Sequence, residues 1–455
     1  MTLRLAVALA LPCAGALLAT PLRSRELRNT VRIGLALAAL GATAFALPDL
    51  DRLSGVFAIV VSAVSLLATV FSTSIFPSRE RLDSGWSNRP TYFVLLGAFW
   101  SSMLFAVAST TFTGIWIGIS ATTLATTFLV GFSGGKSALE AAWKYLILCS
   151  FGIAIALLGM LLLGRAGMAA GIAPGAALSW QALAAHAALL PPELARAALL
   201  LMVVGFATKA GLVPMHSWLP DAHSKAPASI SALLSGLLVS CSLYAIVRVQ
   251  GVADAVIPRL FDGTLLALGG ASVTIAALLM LTQRDLKRFL SYSTIEHSGL
   301  VAIALSIGTP LGSFAAIFHA LNHAVTKAAA FLASGAVQYE RGTTNIGALR
   351  GLFASGSGKM LLAAIAGLAG FPPFGIFFSE FLIVIAAVEA RDWTALAIAG
   401  VGTVIAFAAL ARLAIETQSS TPPPRPVVPR LALGTAATLL VAAVAGALVP
   451  FVRLP

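Results

Sequence analysis

The sequence predicts an all-α polytopic membrane protein with about fourteen transmembrane helices. Three observations carry that expectation. Of 455 residues, 59% are hydrophobic and 10% charged, too few charges to clothe a soluble core of such apolarity. Apolar runs of about 17 to 25 residues, the length that crosses a bilayer, recur from end to end. Two of the runs are interrupted by proline and each carries one charge, a pattern that points to discontinuous helices around an ion site.

Taken in order, the runs fall at roughly 2–20, 31–48, 53–76, 91–109, 111–132, 142–163, 197–213, 228–249, 264–282, 289–308, 312–337, 360–388, 393–413 and 431–451. The first is short and follows Arg4, like a signal peptide. However, Arg23, Arg25, Arg28 and Arg32 come directly after it, then a second run, so a retained helix is expected. With the N-terminus outside, the inner loops hold 18 Lys or Arg and the outer segments 8, while Lys144, Lys209 and Lys327 lie within spans. The excess inside places both termini outside and the chain in the cell inner (plasma) membrane.

Spans 7 and 12 are the interrupted ones. The seventh ends in LVPMHSWLP with Lys209 before the break, and the twelfth contains AGFPPFG with Glu380 after it. They lie five spans apart, an odd offset that reverses chain direction, so spans 4 to 8 and 9 to 13 read as two inverted five-helix repeats. The expected organisation is therefore three helices in 1–90, a first repeat in 91–250, a second in 251–415, and a connector with a last helix in 416–455. TPPPRPVVPR (421–430) reads as a stiff exposed connector. The Ala-, Gly- and Pro-rich stretch 164–195 reads as the longest outer loop.

The net charge of +12 is spread over short loops. It reflects topology and gives no nucleic-acid stripe. Cys13, Cys149 and Cys241 all lie in apolar spans without CxxC spacing, so neither a disulfide framework nor an iron–sulfur site is expected. There is no HExxH, phosphate-binding loop, dinucleotide fingerprint or nucleophile elbow, and hence no catalytic residue of covalent chemistry.

The charges inside the spans carry the functional signal. A lysine at a helix centre costs about 2.5 to 3.5 kcal/mol on insertion scales, so Lys209 must face protein or water and have a partner, unless it snorkels to the interface. Such a lysine can load and release a proton. Glu140 and Lys144, four apart and acid first, fit either a helical ion pair or a proton relay. His319, His323 and Lys327 are spaced i, i+4, i+8, which sets three titratable groups on one helix face over about 12 Å. Imidazoles in a row can pass protons. A metal is the rival for these histidines, but no third ligand accompanies them, so none is expected. Glu296 and His297 are adjacent and should face different surroundings, since neighbours diverge by about 100°. Glu380 stands as a lone intramembrane acid. The run from His216 through PDAHSKAP reads as a wet, inward-facing end of the seventh span.

The stretches TKAGLVPMHSWLPDAHSKAPASISALLSG (208–236), QRDLKRFLSYSTIEHSG (283–299), HALNHAVTKAAAFLASG (319–335) and GFPPFGIFFSEF (370–381) resemble the antiporter-like membrane subunits of respiratory complex I, membrane hydrogenases and multisubunit sodium/proton antiporters. With LEAAWKYLILCS, the combination looks most like component F of hydrogenase-4-type complexes. The resemblance implies fourteen helices in two inverted repeats and proton transfer along a hydrated central axis. It maps Lys209 onto the lysine of the first broken helix, His319, His323 and Lys327 onto the central connecting residues, Glu380 onto the acid or lysine of the second broken helix, and Glu140 and Lys144 onto a polar pair of the sixth. Two positions depart from it. Ser120 stands where the family usually has a glutamate on the fifth helix to pair with the lysine, and Ser240 where the eighth often has a lysine. Either Glu140 then partly replaces the missing acid, or the first half-channel is weakened or inactive.

The leading expectation is a proton-translocating subunit without a cofactor of its own, coupled to an oxidoreductase module of the hydrogenase or complex I type. Its partners are other membrane and soluble subunits, protons and the lipid bilayer. A membrane subunit of a proton-driven inorganic-carbon uptake complex, a structural anchor with a decayed channel, and a sodium/proton antiporter are the other classes considered. The last lacks the clustered oxygens that sodium would want.

Overall fold

The computed structural model describes residues 2–22, 24–75, 89–418 and 428–446. Most of the Pro-rich connector, and the loop after the third span, lie outside these. Among the described residues the chain is helical, with two isolated β-bridges and no strand. The helices are α1 (Leu3–Ala19), α2 (Arg25–Phe45), α3 (Arg52–Ile75), α4 (Arg89–Ala108), α5 (Phe112–Val130), α6 (Lys136–Ala169), α7 (Trp180–Ala185), α8 (Pro192–Ala210), α9 (Trp218–Lys225), α10 (Ala228–Leu233), α11 (Val239–Val256), α12 (Pro258–Met280), α13 (Leu286–Ser306), α14 (Pro310–Arg341), α15 (Gly356–Leu368), α16 (Gly375–Ala390), α17 (Trp393–Gln418) and α18 (Arg430–Ala445). A π-helical turn, Leu234–Leu238, joins α10 to α11 without a break.

Seven of these segments, among the described residues, are long and apolar enough to cross a membrane: α3, α4, α5, α6, α10 with α11, α12 and α17. Three shorter ones, α1, α15 and α18, are apolar as well. The polar side chains that lower the apolarity of α13 and α14 point inward. Nearly every residue of α13 is buried, Lys287, Glu296 and His297 included. Meanwhile Leu124, Phe128, Trp143, Phe151, Leu158 and Leu161 on α5 and α6 are exposed. Apolar outside and polar inside is the arrangement that a hydrocarbon solvent selects.

Helix α14 is the spine, packed against α3, α10, α13, α15, α16 and α18, and α8 packs against α6 and α11. Small residues permit the closest approaches. A Cβ on Gly205 of α8 would stand 2.5 Å from the Ala156 nitrogen of α6, and one on Gly159 would stand 2.6 Å from the Ala198 carbonyl.

Two expectations change here. The stretch 164–195 is less loop than its composition suggests, because α6 runs on to Ala169 and α7 follows. The polar run after Pro214 is wet on one side only, with Ser217 and Lys225 exposed. Residues Trp218 to Lys225 form α9, whose Trp218, Leu219, Ala222 and His223 are buried, so amphipathic packing overrides the loop-like composition.

On the face that the charge pattern assigns to the outside, Arg248 of α11 ties three elements together. Its Nη2 lies 2.6 Å from both Asp51 oxygens, its Nε donates to Tyr244 at 3.1 Å, and its guanidinium covers the Trp180 ring of α7 at 4.7 Å. Burial pushes the Asp51 carboxyl up, but the Ser54 N–H and Arg248 outweigh it and hold the group below its ordinary 3.8. A carboxyl depressed in the folded state contributes stability above its unfolded value and loses it as pH falls through the folded one. Replacing Asp51 with Asn should therefore cost about 1 kcal/mol near neutrality, a figure discounted for partial exposure. Thermal unfolding in detergent checks this, and the gap from wild type should narrow below about pH 4.

Candidate functional site

Among the buried polar clusters of the described residues, two are centred on a lysine. The first begins where α8 stops. Gly211 takes a left-handed conformation (φ 73°) and ends the helix two residues after Lys209, which is wholly buried. The Nζ of Lys209 donates to the Tyr145 hydroxyl at 2.8 Å and lies 4.7 Å from the centre of the same ring. Tyr145 Oη and Thr126 Oγ1 of α5 are 2.6 Å apart, and the Cys149 thiol flanks the amine. Trp218 stands edge-on to Tyr145 at 5.1 Å and donates its indole N–H to the Thr208 carbonyl at 2.9 Å. In this way α9 satisfies one of the acceptors left open at the end of α8.

No carboxylate completes this cluster. The Ser120 hydroxyl is buried without a hydrogen-bond partner. Glu140 does not replace the missing acid, because it is 63% exposed and bonds Lys144 at 2.6 Å. It precedes Tyr145 by five residues, which turns it to a different face of α6. Lys144 also reaches Asp221 of α9 at 3.4 Å, and Asp221 pairs with Arg288 of α13 at 2.6 Å. The Glu140–Lys144 pair thus belongs to a surface network joining α6, α9 and α13. His216 sits in the linker, its Nδ1 3.3 Å from the Pro214 carbonyl, apart from both clusters.

The second cluster spans α13, α14 and α16. Lys327 is wholly buried, and its Nζ donates to Ser293 Oγ at 2.8 Å and to the Leu290 carbonyl at 3.4 Å. Glu296 lies one turn further along α13. His297 and Glu296 do not diverge as their adjacency suggests, since the longer acid side chain reaches round to bring Oε2 within 3.5 Å of Nε2. His297 Nδ1 is 3.1 Å from His319 Nε2, and His319 Nδ1 is 2.9 Å from Ser379 Oγ. The His297 and His323 rings lie 5.2 Å apart. The histidines are therefore not ranged along a single face of α14 but form, with Ser379, a zigzag across α13, α14 and α16.

Hydrogen-bond direction along that zigzag is constrained. With the Ser379 hydroxyl hydrogen on the Ile376 carbonyl at 2.8 Å, His319 Nδ1 donates to Ser379 and His319 Nε2 accepts from His297 Nδ1; with that hydrogen turned to His319 Nδ1, the order along the two imidazoles reverses. Glu380 is next in the chain to Ser379 and occupies space that a side chain at Gly370 would need.

Between the clusters lies His223 of α9. It is wholly buried, its two ring nitrogens have no hydrogen-bond partner, and its ring contacts Trp218 at 6.4 Å and Phe331 at 5.2 Å. Phe331 is one turn from Lys327 on α14. Neither His223 nor Tyr145 stands out from the sequence as a site residue, although PDAHSKAP contains the first. No grouping of three His, Cys, Asp or Glu able to hold a metal occurs among the described residues.

The chain is similar to known proteins over most of its length. It is 37% identical over 372 residues, 79% of this chain and 76% of the other, to a hydrogenase-4 component F homolog of Methylacidiphilum infernorum. This agrees with the subunit type that the motifs resemble. Its fold matches a chain of the Mrp complex from Dietzia sp. (TM-score 0.84, 20% identity, 99% of this chain and 95% of that one). It also matches a chain of respiratory complex I from Thermus thermophilus (TM-score 0.81, 24% identity, 100% and 99%). A family profile described as NADH:quinone oxidoreductase/Mrp antiporter, TM, covers residues 108–406. The chain belongs to that family of antiporter-like membrane subunits.

Proposed function

We propose that this chain moves protons across the membrane along the line Lys209, His223, Lys327, the His297, His323 and His319 group, and Glu380, as one subunit of a larger energy-converting complex. The observation that carries the reading is the burial of Lys209, Lys327 and four histidines in one apolar bundle, where each would be costly without a role. In this reading the chain has fourteen transmembrane helices. α8 with α9, and α15 with α16, are single broken crossings at equivalent places in two inverted repeats, and both termini face outward from the cytoplasmic membrane. The chemistry that supplies free energy belongs to a partner module of the hydrogenase or complex I type. A second reading, a membrane anchor whose channel has decayed, draws support from Ser240, whose hydroxyl is spent on the Gly236 and Ala320 carbonyls, and from Ser120.

Proton flux through the isolated complex in proteoliposomes separates the two. Lys209→Ala should lower coupled flux by about a hundredfold while the complex still assembles. Flux equal to wild type would leave the anchor as the better description.

A further inference from the structure

We propose that Tyr145 and Lys209 form a proton-sharing pair that does the work of the absent acid–lysine pair, a deepening of the transport reading above on which it rests. Lys209 needs a group with which to exchange its proton, and Ser120 cannot exchange one. What the amine meets instead is the Tyr145 hydroxyl at 2.8 Å, in line with Thr126 Oγ1 at 2.6 Å.

A phenol and an ammonium lose their protons at nearly the same ordinary pKa, about 10 and about 10.4. Their proton affinities in water are therefore matched, and burial, which penalises separated charges, makes amine with phenol the resting form and ammonium with phenolate the transient one. In the unloaded pair, one proton moves between Tyr145 Oη and Lys209 Nζ. The O–H bond breaks as the N–H bond forms, and amine with phenol becomes ammonium with phenolate. Both forms are neutral overall, so neither leaves a net charge in the apolar bundle. Loading adds one proton and gives ammonium with phenol.

The surroundings suit both forms. Thr126 donates to the Thr122 carbonyl at 2.6 Å while the phenol hydrogen points at Thr126, and rotates its hydroxyl toward Oη when that hydrogen turns to, or passes to, Lys209. The face of the Tyr145 ring lies 4.7 Å from Nζ, an attraction present whenever the amine carries its extra proton. Trp218 fixes the ring from α9 at 5.1 Å. The titratable group that faces both members is Cys149, one turn along α6, and His223 lies beyond Trp218. From α5 the pair meets only the threonine hydroxyls. The hydroxyl, held at both ends by short hydrogen bonds, is better placed for exchange than the thiol.

The test is the pH profile of proton flux through the whole complex in proteoliposomes. Tyr145→Phe keeps the ring and its contact with Trp218 but removes the exchangeable hydrogen. It should lower flux by at least about tenfold. A 3,5-difluorotyrosine installed at position 145 keeps the hydroxyl on a more acidic phenol, and should move the alkaline limb of the profile to lower pH. Cys149→Ala should leave that limb in place. Flux of an assembled Tyr145→Phe complex within about twofold of wild type, an alkaline limb that the fluorophenol does not move, or a limb moved by Cys149→Ala instead would each overturn the proposal. Should the phenylalanine variant not assemble, the fluorophenol decides alone. Lys209→Ala in the same vesicles distinguishes the two failures. If it too keeps full flux, the transport reading falls, whereas loss there with full flux in Tyr145→Phe overturns only the pair.

Discussion

Replacing Lys327 with Ala should reduce proton flux to the level of vesicles without protein, with the complex still assembled. Lys327 is the one cation of its cluster, hydrogen-bonded to Ser293 and to the Leu290 carbonyl, opposite Glu296. Without it the proposed line from His223 to the histidines is cut, and Glu296 loses the cation opposite it. Replacing Lys327 with Arg is the sharper test. A guanidinium restores the charge and the hydrogen bonds, yet holds its proton at any working pH. If Lys327 shuttles a proton, the Arg variant should be as inactive as the Ala variant. Full flux with Arg would mean that a fixed positive charge suffices there, and that Lys327 is not part of the relay.

The second large effect is structural. Replacing Gly205 with Val should prevent assembly, or leave an assembled complex without flux. The added Cβ would lie 2.5 Å from the Ala156 nitrogen and 2.6 Å from its Cβ, so α6 and α8 must separate, at a cost of about 3 kcal/mol or more. Lys209 is one turn further along α8 and Tyr145 lies on α6, so any separation stretches their 2.8 Å bond. Gly34→Ala is the control, since its Cβ would meet nothing within 4 Å and assembly should be unchanged. Recovery and flux of the Gly205→Val complex equal to wild type would show that this contact does not set the distance between the helices.

The sequence makes the charged members of the axis legible because each interrupts an apolar run. Lys209, Lys327, Glu296 and Glu380 stand out for that reason, and His319 and His323 for their helical spacing. It hides what those groups touch. Tyr145 is an ordinary aromatic on an apolar helix, and its importance comes from Lys209 on a different one. His223 sits in a segment whose Pro, Asp, Ser and Lys read as loop, although packing of Trp218 and Leu219 makes the segment a buried helix. Adjacency misleads at Glu296 and His297, because backbone direction does not fix where a long carboxylate ends. Composition misleads at Glu140, whose place at the head of an apolar span conceals an outward-facing side chain. The long apolar helices are foreseeable from bilayer length, while the zigzag of the histidines depends on how three helices lean together.

The cut between α8 and α9 has an electrostatic consequence. Peptide dipoles add along a helix to about half a negative charge at its C-terminus. An uninterrupted span would deliver that charge to the membrane surface, where water screens it. By stopping at Ala210, with Lys209 in its last turn, α8 delivers it inside the bundle instead. Position 120 offers a hydroxyl and no acid, but the severed backbone sets a partial counter-charge beside Lys209, one that no substitution of a side chain can remove.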